Sequence, residues 1–128
     1  MSGREGSQRE RALTVEYGGR RFRPAGEEPG ADESAVSVPS AEGRYFQDGD
    51  LVWAEFSGTA VRAGRLVGTR RPDGALDAAY CFVTAAGETV AGACLSTPEL
   101  LADGRLRLTE HWRRLDGSTG VSHIEEVV

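Results

Sequence analysis

GACLSTPELLADGRLRLTEHWRRL, residues 92–115, is two strand-like runs folded about the turn ADGR at 102–105. A three-residue loop 102–104 puts Gly104 in the left-handed position of a bulge turn. Leu101 then faces Arg105, Ser96 faces Glu110 and Cys94 faces Trp112. Side chains alternate along a strand. Leu106, Leu108, Glu110 and Trp112 therefore share one side, while Arg107, Thr109, His111 and Arg113 share the other. The second side is polar. The first is apolar except for Glu110, so this stretch raises one question: what a carboxylate does on a dry face.

The same pattern extends outward in both directions. From residue 35 on, runs such as LVWAEF, AVRAGRLVGTR, ALDAAYCFVT, TVAGACLST and TGVSHIEEV alternate with glycine turns. These turns are QDGD (47–50), SGT (57–59), RPDGA (71–75), AAGE (85–88) and LDGS (115–118). Asp-Gly between alternating apolar runs is a strong hairpin signal. No segment has a helical period of useful length. Consecutive hairpins make an antiparallel meander, and about eight strands hide their edges best by closing. The expected fold is an all-β, antiparallel up-and-down barrel of about eight strands; a two-sheet sandwich is the alternative.

The turns also fix register. AAGE with Gly87 left-handed pairs Tyr80 with Gly92 and Ala78 with Cys94. RPDGA with loop 72–74 pairs Leu66 with Tyr80 and Gly68 with Ala78. With ADGR, these readings converge on one inner face: Gly64, Leu66, Gly68, Ala78, Tyr80, Phe82, Val90, Gly92, Cys94, Ser96, Leu106, Leu108, Glu110 and Trp112. QDGD adds Tyr45 and Gln47 if Val52, Ala54 and Phe56 also point inward, with Trp53 and Glu55 outside. Arg62 is a rim candidate, although a solvated arginine is the plainer reading. Cys81 and Cys94 fall on opposite faces of neighbouring strands, which disfavours a disulfide.

LDGS has two readings. A three-residue loop 115–117 pairs Glu110 with Ser122 and puts Ser122, Ile124 and Glu126 inside. A two-residue Asp116-Gly117 loop pairs Glu110 with His123 and makes a buried acid–base pair. The other turns favour the first form; Asp-Gly in isolation favours the second.

The chain has 128 residues, 39% hydrophobic and 27% charged, with a net charge of −5. That length suits one domain with a small core. Residues 11–128 are expected to form a single barrel domain. Residues 1–10 are read as a disordered tail, and the acidic stretch 25–34 as a mobile loop. RALTVEY (11–17) and RRFRP (20–24) are short extended candidates. An acidic balance argues against nucleic acid, which needs a basic face. No apolar run approaches the ~20 residues of a membrane helix, and the N-terminus lacks the apolar core of a signal peptide. A cytoplasmic location is the expectation. Neither cysteine spacing nor histidine spacing suits a metal site, and no cofactor motif is visible.

Y-x-Q-x-G at 45–49, VWAEFSG at 52–58, GRLVGT at 64–69 and GACLSTPELLADGRLRLTEHW at 92–112 resemble a group of small bacterial proteins. These carry the label N-acetylglutamate synthase by automatic transfer. The resemblance spans approximately residues 14 to 127 and is most specific over 96–112. It implies an avidin-like, calycin-like barrel. The chain departs from the group in its acidic 25–34 loop, its many arginines, and His123 where an aliphatic residue is usual. Acetyl transfer from coenzyme A in the usual fold needs a phosphate-binding helix N-terminus. No such helix is legible, so the resemblance is taken for fold and not for that activity.

A buried carboxylate must be paired, hydrogen-bonded or protonated. Glu110 among Tyr45, Gln47, Leu66, Tyr80, Phe82, Cys94, Ser96, Leu108, Trp112 and Ser122 describes a semi-polar lumen. Apolar walls with few polar groups are typical of ligand pockets. The first expectation is a barrel that binds a small, partly apolar molecule. The second is a cofactor-free cyclase, isomerase or lyase of specialised metabolism, with Glu110 as general acid or base and His123 as a candidate partner. The third is a structural or oligomerisation module in which Glu110 is a satisfied buried acid. Self-association into a dimer is left open.

Overall fold

The Asp-Gly pairs decide where the chain turns. In the computed structural model, which describes residues 15–25 and 41–128, the loops 72–74, 102–104 and 115–117 are built alike. Gly74, Gly104 and Gly117 have φ of 91°, 90° and 90°. The preceding aspartate accepts the backbone N–H two residues ahead: Asp73 from Ala75 at 2.9 Å, Asp103 from Arg105 at 3.1 Å and Asp116 from Ser118 at 2.9 Å. A short carboxylate reaches that N–H, and a residue without Cβ tolerates the positive φ. In the loop at Gly87, Thr84 replaces the aspartate, and its Oγ1 accepts the Glu88 N–H at 3.0 Å. QDGD is the exception. Asp48 pairs with Leu51, leaving only Gly49 and Asp50 in the turn.

These turns join β1 (Arg21–Pro24), β2 (Ala41–Asp48), β3 (Leu51–Gly58), β4 (Val61–Arg70), β5 (Leu76–Thr84), β6 (Thr89–Leu100), β7 (Leu106–Arg114) and β8 (Thr119–Glu126). Neighbours in sequence are neighbours in the sheet, and β8 returns to β1, so the eight strands close into a barrel. Pairing is antiparallel throughout. Closure gives every strand a partner on both sides, although the short β1 covers only Gly43 and Arg44 of β2 and Ile124–Glu126 of β8.

The register is the one the turns dictate. Leu66 faces Tyr80 and Gly68 faces Ala78; Tyr80 faces Gly92 and Ala78 faces Cys94; Cys94 faces Trp112 and Ser96 faces Glu110. Tyr45 pairs with Ala54 and Gln47 with Val52, which puts Val52, Ala54 and Phe56 inside. Cys94 is buried and Cys81 exposed, both as free thiols. Val52, Leu76 and Leu108 are fully buried, and burying each such side chain stabilises the fold by roughly 1.5–3 kcal/mol.

The inward glycines make room for aromatic rings. A methyl group on Gly64 would lie within the Phe56 ring, and one on Gly120 within the Trp112 indole. Gly92 is similarly covered, with the Tyr80 hydroxyl 2.8 Å from where its Cβ would stand. Gly64, Gly92 and Gly120 thus serve ring packing rather than open space, whereas Gly68 lies against the backbone of Asp77 and Ala78.

One expectation needs correcting. Of RALTVEY, residues 15–17 are described and form no strand. They turn into one mouth of the barrel instead, where Tyr17 is wholly buried. The expectations for residues 1–10 and for 26–34 of the acidic stretch lie outside the described residues.

Candidate functional site

Glu110 sits halfway along β7 with 5% of its surface exposed. Its cross-strand neighbours are Ser96 on β6 and Ser122 on β8. Both serines are buried. The Ser122 hydroxyl donates to Glu110 Oε1 at 3.3 Å. Glu110 is also on the wall of a central cavity of about 30 Å³, together with Tyr45, Tyr80, Cys94, Leu66 and Phe56. Phe22, Ala41, Gly43 and Ile124 complete the lining. That volume accommodates a water-sized guest.

The groups around the carboxylate respond to it. Burial pushes the Cys94 thiol up to about 12, and the nearby Glu110 charge adds to the rise. Cys94 Sγ lies 3.9 Å from Ser96 Oγ. This thiol is held in its neutral form, which suits packing and not nucleophilic attack. Burial raises the Tyr45 phenol well above its ordinary value, and Glu110 again contributes. Tyr80 is raised by burial too, moderated by the Arg114 guanidinium. The Tyr80 hydroxyl and Trp112 Nε1 are buried with no hydrogen-bond partner of sound geometry among the described residues. Arg114 stacks over the Trp112 ring at 5.0 Å.

At the opposite mouth, Tyr17 closes the barrel. Its hydroxyl donates to the Gly74 carbonyl at 2.6 Å, and its ring stacks on Tyr45 with centroids 6.1 Å apart. Gln47 fastens this segment. Its Oε1 accepts the Tyr17 N–H at 2.6 Å, and its Nε2 donates to the Gly49 carbonyl at 2.9 Å. Both ends of the Gln47 amide are thus committed to backbone.

Five of the residues expected in the lumen therefore meet at the cavity: Tyr45, Leu66, Tyr80, Cys94 and Glu110. Phe82, Ser96, Leu108, Trp112 and Ser122 are buried around it. Phe82 packs edge-on against Phe56 at 6.1 Å. His123 is the clear departure. The three-residue loop pairs it with Thr109, not Glu110, and its Nδ1 lies 3.3 Å from Thr109 Oγ1 on the outer face. The geometry gives no Glu110–His123 dyad. Arg62 is exposed on the outer wall. Sequence reasoning missed Phe22, whose short RRFRP run gave no face, and Tyr17, whose alternating segment reads as a strand.

A family model described as avidin-like protein matches residues 15–127. Neither a curated protein nor a solved structure matches the chain.

Proposed function

The chain belongs to the avidin-like family, and on that premise we propose that its barrel binds a small, partly apolar molecule in the lumen, with Glu110 as the polar anchor. The observation that carries this reading is a buried carboxylate on a cavity wall, flanked by the phenols of Tyr45 and Tyr80 and otherwise lined by apolar side chains. Pockets that pair apolar walls with a few convergent polar groups bind and orient small molecules. The cavity sets a condition. At about 30 Å³ it admits only a few atoms, so a larger guest requires the Phe56 and Tyr80 rings to swing aside. Among the described residues Tyr17 blocks one mouth, and the end carrying the Gly87 and Gly117 turns is the remaining route in.

A second reading rests on a different observation: Tyr45 and Glu110 line the same cavity, where burial, with Glu110 adding to it, raises the Tyr45 phenol. An acid and a phenol in one dry site can move a proton without a cofactor, as a cyclase, isomerase or lyase requires. A thermal-shift screen of small, partly apolar molecules bearing a hydrogen-bond donor tests both. Hits should stabilise the wild type and lose their effect in Glu110→Gln. Recovery of an unchanged compound favours binding, and conversion to an isomer or elimination product favours catalysis. Stabilisation that persists undiminished in Glu110→Gln would remove Glu110 from the site.

A further inference from the structure

The outer wall of β1–β4 carries a second feature, independent of the lumen. Arg21, Arg44, Glu55 and Arg65 are successive cross-strand partners on four adjacent strands. A register shift between Val61 and Ala63 interrupts β4 beside them. Such a bulge re-aims the side chain it contains, and here Arg62 joins the others around an open cleft of about 510 Å³. Glu42 is the remaining charged group on its rim.

The charges in this cleft do not cancel. Four arginines against two glutamates leave +2, in a chain whose net charge is −5. Arg21 and Arg44 stand directly opposite each other, an arrangement that destabilises a strand pair when nothing neutralises it. Arg21 makes a 3.4 Å contact with Glu42, both side chains about half exposed. Arg65 donates to the Gly64 carbonyl at 2.8 Å. Among the described residues, Arg44, Arg62 and Arg65 have no carboxylate within 4.0 Å. Glu55, which lies between two of them in register, is in no ion pair among the described residues either.

We propose that this cleft binds the phosphate group of a soluble phosphomonoester. A phosphomonoester carries about −1.5 to −2 at neutral pH, which matches the +2 of the described residues that line the cleft. Its three terminal oxygens accept from several guanidinium forks at once, whereas a carboxylate offers two. Glu55 tunes the site by competing for the same arginines.

The test uses the full chain with phenyl phosphate as probe, read by the arginine Nε–Hε signals in NMR titration. Arg44 and Arg65 signals should shift saturably, and sodium chloride at equal ionic strength should not reproduce the effect. Arg44→Gln and Arg65→Gln should each weaken binding by about three- to tenfold, the loss expected for one charge-assisted hydrogen bond at an exposed site. Glu55→Gln should tighten it. Arg113→Gln, on the outer wall away from the cleft, should leave it unchanged. All four positions are exposed, and unaltered amide spectra verify the fold. Shifts that never saturate, shifts that chloride reproduces, or a Glu55→Gln variant that binds more weakly would each overturn the proposal.

Discussion

Ser122 stands opposite Glu110 across β7 and β8, its hydroxyl donating to Oε1 at 3.3 Å. One extra residue in the LDGS loop produces that contact, because a shift of one reverses every side chain of the strand. It places His123 beside Thr109 on the outer face. Replacing Glu110 by glutamine should therefore leave the His123 ring resonances where they are. A clear displacement of those resonances would mean that the two side chains share a face after all.

Tyr17 should be worth more to stability than its place outside any strand suggests. Tyr17→Phe loses only the hydrogen bond to Gly74 and should cost about 1 kcal/mol. Tyr17→Ala empties a wholly buried ring position and should cost roughly 3–5 kcal/mol. Urea unfolding of the two variants measures both. Equal losses would place the value of Tyr17 in its hydroxyl and not in its ring.

Gly64 has the Phe56 ring where a side chain would go. Gly64→Ala should destabilise the barrel by about 1–3 kcal/mol through overpacking. It should also alter the near-ultraviolet circular dichroism, because Phe56 contacts Phe82. A neutral substitution would show that the wall moves aside freely.

Stability should fall at high pH. The Cys94 thiol is raised from 9.0 to about 12 by burial, then by Glu110. Above about pH 9 the unfolded chain releases this proton while the folded chain keeps it. The folded state then binds more protons, so stability declines with rising pH until the folded thiol ionises near pH 12. Tyr45 acts in the same direction. Urea titrations between pH 8 and pH 11 should show a shallower decline for Cys94→Ala than for the wild type. Identical slopes would assign the loss to other groups.

The barrel was legible because its turns are chemically explicit. Asp-Gly loops with an aspartate two residues before the capped N–H carry both turn position and strand register. The inner face around Glu110, Tyr80 and Cys94 follows from them together with the AAGE turn at Gly87. What the sequence concealed depends on ring conformation and on chain segments without period. Inward glycines leave the same trace in sequence whether they open a cavity or receive a ring; Phe56 over Gly64 and Trp112 over Gly120 decide for the ring. Tyr17 lies in an alternating segment and reads as a strand residue, yet it closes a mouth. The arginine cleft needs four strands and a bulge to assemble, so its members read singly as solvated charge.

The most direct test of the lumen as a binding site, with Glu110 as its anchor, is native mass spectrometry of the protein purified from its own host, wild type beside Glu110→Gln. The wild type should carry a bound small molecule, released on unfolding. Glu110→Gln should fold with a similar melting temperature, because its shape is nearly preserved, and should be free of that mass. An empty wild type under gentle ionisation, or a glutamine variant that retains the same molecule at the same occupancy, would contradict a lumen site anchored on Glu110.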